Sequence, residues 1–263
     1  MSQCLRDDQG HCRRCDNGLE FDFTMAFQPI VDIATGEVFA QEALVRGVNG
    51  ESAGEILSRV TPASLYRFDQ GCRTRAIQLA HDLGCEQLVS INFLPNAVYE
   101  PSACIQATLK LADELGWPLQ NIMFEVTETE YVRDRRHLQR IVEAYRAMGF
   151  LTALDDFGAG YANLELLVDI RPDVIKADRN LIIDVNQNER RQALMEGLIT
   201  LTNRLGIRLI AEGVETLAEA CWLYQRGIKL QQGYLFARPA IETMSLPPSD
   251  LIEQIRASAS ASV

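Results

Sequence analysis

From Leu88 onward the chain alternates short apolar runs with longer amphipathic stretches, and this alternation limits the fold more than any other feature. Leu88 to Phe93, Ile122 to Val126, Phe150 to Leu154, Val174 to Ala177, Arg208 to Ala211 and Lys229 to Gln232 read as strands. Between them, helices are predicted near Ala103 to Leu115, Arg135 to Met148, Tyr161 to Val168, Arg190 to Leu205 and Leu217 to Arg226. The second of these places Leu138, Ile141, Val142 and Tyr145 on one face; the fourth places Leu194, Leu198, Leu201 and Leu205 on one stripe. Strands that alternate with helices require a parallel sheet. Two more strands come first, Phe23 to Ile33 and Glu37 to Val45, and the Thr35-Gly36 turn between them makes an antiparallel hairpin. Gly50 to Gly84 reads as helices broken at Pro62, and Asp250 to Ile255 as a closing helix. About eight strands in 263 residues predict a closed α/β barrel that departs from strict (β/α)8 order only at its first hairpin. The barrel is expected over residues 20–258, with a Cys-containing tail over 1–19 and a disordered tail over 259–263.

Composition narrows the function. The net charge of −11 argues against non-specific binding to a nucleic acid polymer or an anionic membrane. No apolar run is long enough to span a membrane, and the N-terminus lacks a signal-peptide core, so a cytoplasmic location is expected. Seven cysteines, an odd number without framework spacing, fit a reducing compartment. Cys72, Cys85, Cys104 and Cys221 fall in predicted helices or at their ends. Cys4, His11, Cys12 and Cys15 could hold zinc, but their spacing matches no standard finger, and they read as a tail or loose cap.

Chemistry concentrates where the strands end. There stand Glu42, Asn92, Glu125, Asp155 with Asp156, Lys176 with Asp178, Glu212 with Glu215, and Gln232. A barrel brings such positions onto one rim, and so many carboxylates on one rim need cations. Hard oxygen donors favour Mg²⁺ or Mn²⁺. Glu42, Asn92, Glu125 and Asp155 supply four oxygens for one ion. Asp155 could bridge to a second ion held by Asp156 and Glu212, in the manner of a two-metal phosphoryl-transfer site. Lys176 would neutralise charge or help orient water, and Arg46 is placed to contact a phosphate. After Asp156, Gly158 and Gly160 provide a flexible loop.

These motifs resemble those of the EAL-domain cyclic di-GMP phosphodiesterases. The resemblance rests on Gln28-Pro29-Ile30, Gln41-Glu42-Ala43-Leu44-Val45-Arg46, Ile91-Asn92-Phe93, Phe124-Glu125-Val126-Thr127-Glu128, Asp155-Asp156-Phe157-Gly158, Ile175-Lys176-Ala177-Asp178, Glu212-Gly213-Val214-Glu215 and Gln232-Gly233-Tyr234. It covers about Phe23 to Pro239. It implies a TIM-like barrel that hydrolyses cyclic di-GMP to linear pGpG. It implies metal ligation by Glu42, Asn92, Glu125 and Asp155, with Asp156 and Glu212 at a second ion. Lys176 and Glu212 match positions linked to water activation. Gln28, Leu44, Arg46, Asp178, Glu215 and Gln232 match positions lining substrate and metal, and Glu128 matches a residue anchoring the loop after Asp156. A homodimer formed beside that loop is also implied. Ala159, Ala162 and Ala177 replace commoner residues of the family without removing a ligand. Two rival readings are a receptor that binds cyclic di-GMP without cleaving it and an enolase-type barrel. Asn92 and the Asp155-Asp156-Phe157-Gly158 loop favour phosphodiester hydrolysis over the latter.

Overall fold

The computed structural model describes residues 19–127, 135–160 and 164–260. The expected Cys4, His11, Cys12 and Cys15 cluster, the loop anchor Glu128, and Tyr161 and Ala162 lie outside the described residues. Among the described residues, nine strands form one sheet: β1 (Thr24–Asp32), β2 (Glu37–Arg46), β3 (Leu88–Asn92), β4 (Ile122–Thr127), β5 (Leu151–Phe157), β6 (Val174–Ala177), β7 (Arg208–Ala211), β8 (Leu230–Gln231) and β9 (Ala240–Ile241). β2 to β8 run parallel in sequence order, and β1 pairs antiparallel with both β2 and β8. The barrel therefore closes through the expected hairpin. The short β9, unforeseen in the sequence, adds to β1 outside the ring.

Helices cover the outside. They are α1 (Ala53–Leu57), α2 (Leu65–Asp82), α3 (Pro101–Cys104), α4 (Gln106–Leu115), α5 (Arg135–Ala147), α6 (Leu164–Ile170), α7 (Arg179–Ile182), α8 (Glu189–Leu205), α9 (Leu217–Gln225) and α10 (Ser249–Ser260). The helix expected from Ala103 to Leu115 is two helices meeting at Ile105, α7 was not anticipated, and α10 continues to Ser260 where a tail had been expected from 259. α5 buries Leu138, Ile141, Val142 and Tyr145 as its periodicity predicts. α8 does not follow its leucine stripe: it buries Met195, Leu198 and Thr202, while Leu194 and Leu205 are exposed. Leucines recurring every three or four residues mark a helix, but which arc faces the sheet depends on how the helix packs.

Inside the barrel, side chains alternate along each strand, and this alternation builds two layers. The lower layer is apolar: Ile30, Ala40, Met123, Ala153, Val174, Ile210 and Leu230. Two residues further along the chain, on the same strand or one residue past its end, stand Glu42, Glu125, Asp155, Lys176, Glu212 and Gln232, and two residues before Ile30 on the reversed β1 stands Gln28. β3 follows the same rule with Leu88, Ser90 and Asn92. An apolar plug thus floors a polar layer at the C-terminal end of the parallel strands.

A second buried charge braces the β3–β4 side of that layer. Arg73 on α2 is fully buried, 2.7 Å from Asp69 Oδ2, and its Nη1 donates to the Tyr145 hydroxyl at 2.7 Å. Its guanidinium lies over the Phe93, Phe124 and Tyr145 rings at 5.4, 5.1 and 5.6 Å. Asp69 Oδ1 accepts the Leu94 N–H at 2.8 Å, fixing the exit of β3 two residues after Asn92.

Candidate metal centre and ligand cavity

At the centre of the polar layer stands Lys176, with no exposed surface. Its Nζ lies 3.2 Å from Glu42 Oε2, 2.9 Å from Glu125 Oε2, 3.1 Å from Asp155 Oδ1 and 2.7 Å from Glu212 Oε1. Burial alone would lower the lysine pKa; the carboxylates of Asp155, Glu125, Glu212 and Glu42 outweigh it and hold the ammonium well above its ordinary value. Without bound metal, the surrounding carboxylates thus favour the charged form of Lys176. Burial, reinforced by neighbouring carboxylates, pushes Glu125 and Glu212 well above the carboxylate range, with Lys176 opposing. Asp156, half-buried, is pushed up to about 6 by burial, then by Asp155 and Asp178.

Both carboxylates of the Asp155-Asp156 pair serve this site because of a backbone irregularity. Consecutive strand residues point to opposite faces. Between Leu154 and Phe157 the β5–β6 register shifts, so that Asp155 and Asp156 together oppose Lys176 alone. Asp156 adopts a left-handed conformation, φ 55°, which aspartate tolerates better than most residues. This bulge brings ligand atoms of Asp155, Asp156 and Glu212 within 4.8 Å of one another; Glu42, Glu125 and Asp155 form a second such group. Asp155 belongs to both, the arrangement expected of a bridging carboxylate.

The donor set fits a hard divalent cation. An ammonium has three protons, and four carboxylates surround this one. Asp155 Oδ1 is left buried without a hydrogen bond. Asn92 turns its Nδ2 towards Glu42 Oε1 at 3.3 Å and Glu125 Oε2 at 3.4 Å, so ligation would use the other end of its amide. Ser90, which the sequence reading passed over, donates from Oγ to Glu125 Oε1. The alternation Leu88, Ser90, Asn92 along β3 was the signal that could have identified it.

Beside the cluster opens a cavity of about 280 Å³ lined by Gln28, Leu44, Asp178, Glu215 and Gln232, and also by Arg179 and Tyr234. Gln232 Nε2 donates to Glu42 Oε2 at 2.7 Å and lies 3.4 Å from Gln28 Oε1, while Gln232 Oε1 is buried without a partner. Gln28 Nε2 donates to the Ala237 carbonyl at 3.0 Å. Asp178 caps α7, accepting from the Asn180 N–H at 2.9 Å. Tyr234 is half-exposed and stacks under the Arg238 guanidinium at 4.1 Å. Arg46 ends β2 beyond this cavity and donates to the Val45 carbonyl at 2.7 Å. A larger hollow of about 430 Å³, bounded by Asp32, Phe39, Arg208 and Lys229, opens at the opposite end of the barrel, away from the carboxylate cluster.

The family model described as "EAL domain" matches residues 14–239. The chain belongs to the EAL domain family. Among its curated relatives, the cyclic di-GMP phosphodiesterase RocR of Pseudomonas aeruginosa is 32% identical over 240 residues, covering 88% of this chain and 60% of RocR. The blue light- and temperature-regulated antirepressor BluF of Escherichia coli is 31% identical over 215 residues, covering 81% of this chain and 53% of BluF. The EAL chain thus spans little more than half the length of these relatives. A standalone versatile EAL protein from Vibrio cholerae O395, solved in its c-di-GMP bound form, superposes with a TM-score of 0.86 at 49% identity, covering 89% of this chain and 99% of the other. The Klebsiella pneumoniae BlrP1 manganese/cy-diGMP complex at pH 9.0 gives a TM-score of 0.79 at 36% identity, covering 84% and 56%. No helix among the described residues is long and apolar enough to cross a membrane.

Proposed function

We propose that this EAL domain is a phosphodiesterase that hydrolyses cyclic di-GMP to linear 5'-pGpG, lowering a bacterial second messenger. The observation that carries this reading is the complete set of carboxylates around Lys176. Glu42, Asn92, Glu125 and Asp155 would hold one divalent ion, and Asp155, Asp156 and Glu212 a second; Mg²⁺ or Mn²⁺ supplies Lewis acidity and a more acidic water when bound. Five carboxylates against one ammonium leave a formal charge of −4, which two divalent ions bring to zero.

In the proposed reaction, water adds to one phosphorus and the bond to the ribose 3'-oxygen breaks, giving a 5'-phosphate and a free 3'-hydroxyl. Glu212, the most exposed of the four carboxylates around Lys176, accepts the water's proton. Lys176 opposes the rise of the Glu125 and Glu212 pKa values and balances the charge that builds on the phosphoryl oxygens. Gln28, Leu44, Asp178, Glu215 and Gln232 shape the ligand cavity, and Arg46 contacts a phosphate from the end of β2. Glu128, outside the described residues, is proposed as the anchor of the loop after Asp156. A homodimer is proposed through α6, which follows that loop and exposes Leu164 and Val168 at 57% and 72%. A concentration-independent monomer mass by light scattering would remove the dimer.

Incubation of the purified protein with cyclic di-GMP and Mg²⁺ or Mn²⁺, with products separated by chromatography, tests the reaction, and excess EDTA should abolish it. The second reading is a regulatory module that binds cyclic di-GMP without cleaving it, favoured by the similarity to a relative named an antirepressor. Tight binding with no product would select it.

A further inference from the structure

The loop from Gly213 to Thr216 carries Glu212 at its base and Glu215 at its centre, and it is tied down on every side. Glu212 N–H donates to the Ala177 carbonyl at 3.0 Å, and Val214 N–H to the Gln232 carbonyl at 3.0 Å. Gly233 packs so closely on Val214 that a Cβ there would lie 2.0 Å from the Val214 carbonyl oxygen. Leu235 N–H donates to the Val214 carbonyl at 3.1 Å, and further ties come from two residues without a role in the reaction outlined above, Glu219 and Arg179.

Glu219 on α9 is a carboxylate only 2% exposed. Its Oε2 accepts the Glu215 and Thr216 N–H groups at 3.1 and 3.0 Å, and its Oε1 accepts the Asp184 N–H at 3.0 Å. The Thr216 bond, with the Glu219 N–H donating to Thr216 Oγ1, forms the capping box of α9, and the Glu215 bond extends that hold into the loop. The third reaches the segment between α7 and α8, which follows Lys176 and Asp178 in the chain. One buried side chain thus joins the two connections that leave β6 and β7. Arg179 joins them again: its Nη1 donates to the Gly213 carbonyl, and its Nη2 lies 3.0 Å from Glu215 Oε2. The close approach needs glycine at 213, where φ is +65° and a Cβ would lie 2.6 Å from Arg179 Cβ.

We propose that Glu219 and Arg179 are positioning residues: they hold the loop after β7 against the loop after β6, so that Glu212 meets Lys176 and Asp155, and Glu215 keeps its place in the cavity. Groups that orient a ligand carboxylate typically change metal affinity 10–100-fold when removed. The inference rests on the proposed hydrolysis only in its kinetic arm.

The test uses the full chain and its Glu219→Ala, Glu219→Gln and Arg179→Ala variants. In Glu219→Ala, amide exchange at Asp184, Glu215 and Thr216 should speed by about 10-fold or more, while Ile122 to Val126 in β4 stay protected, showing that the barrel is folded. Mn²⁺ affinity, read from free Mn²⁺ by electron paramagnetic resonance without substrate, should weaken about 10–100-fold. Glu219→Gln keeps one carbonyl oxygen for Glu215 and Thr216, so it should restore their protection and most of the Mn²⁺ affinity while Asp184 still exchanges fast. Arg179→Ala should raise the KM for cyclic di-GMP with kcat within a few-fold. Wild-type Mn²⁺ affinity in Glu219→Ala, or a glutamine variant no better than alanine, overturns the role of Glu219; an unchanged KM overturns that of Arg179. Should wild-type protein leave cyclic di-GMP intact, the phosphodiesterase reading fails, and cyclic di-GMP affinity replaces KM as the readout for Arg179.

Discussion

Replacing Lys176 by methionine keeps the length of the side chain and removes the charge that four carboxylates share. At an effective dielectric of 20, unit charges about 3 Å apart interact by about 5–6 kcal/mol. Desolvation of the ions cancels much of this, and removing one partner from a buried pair typically costs about 3–5 kcal/mol. In a domain of this size each kcal/mol moves Tm by about 2–4 °C, so Lys176→Met should melt roughly 6–20 °C below wild type in EDTA. The pH dependence has a definite sign. Glu125 and Glu212 have raised pKa values in the folded protein, so their contribution to stability is complete below the ordinary 4.5 and is lost as pH rises through the folded values. Lys176 is what holds those values down, so the deficit of the variant should shrink as pH falls towards 4.5. Saturating Mn²⁺ should restore part of it, since a ligand at 100 times its Kd adds about 2.7 kcal/mol. Differential scanning fluorimetry from pH 5 to 8, with and without Mn²⁺, reads all three effects. A variant that melts within 2 °C of wild type in EDTA throughout that range would refute the idea that the four carboxylates depend on this ammonium.

Other positions give separate expectations. Ser90→Ala leaves Glu125 Oε1 buried without its donor and should cost about 1–3 kcal/mol in urea unfolding. Gly233→Ala drives a methyl group into the Val214 backbone and should cost about 3 kcal/mol or more and remove turnover, visible together as a lower Tm and a loss of product. Asp156, with a folded pKa of about 6 against an ordinary 3.8, contributes stability that is complete below 3.8 and lost as pH rises through about 6. Metal-free Asp156→Asn should therefore gain on wild type at pH 7.5 and show little difference near pH 4, measured as urea midpoints; a gain confined to acid pH would contradict this.

Much of the barrel is legible in the sequence because each strand is short, apolar and followed by a helix with a clear face. The site is legible for a related reason. Polar residues such as Glu125 and Lys176 that close an apolar run cannot belong to the apolar floor, and the barrel leaves them the rim. What escaped reading depends on rotation and on distance along the chain. The leucines of α8 recur at helical spacing, yet Met195 and Thr202 take the inner face, because spacing sets the width of a stripe and packing sets its direction. Arg179 and Glu219 are forty positions apart in sequence but meet across two loops, and no local pattern announces that meeting.

The Asp155-Asp156 pair was legible as two ligands, but not the backbone device that brings both to one side. Alternation along a strand places one of two neighbouring carboxylates in the barrel and the other against the helices outside. Read by that rule alone, the pair could supply only one ligand. The structure departs from the rule at this point: β5 gains one residue over β6, Asp156 takes a positive φ, and both carboxylates reach Glu212 or Glu42 on the inner side. Bulges and left-handed residues carry strain that the surrounding fold must offset, and they concentrate where chemistry needs a side chain that regular geometry would misdirect. Lys176 stands directly opposite this bulge, so a buried cation of the polar layer faces the place where two anions are forced onto the same side. Burial first, and then the neighbouring Asp155, raise the Asp156 pKa, so the ionised pair is disfavoured there without a cation. The arrangement fits the proposal that a divalent ion enters between Asp155, Asp156 and Glu212.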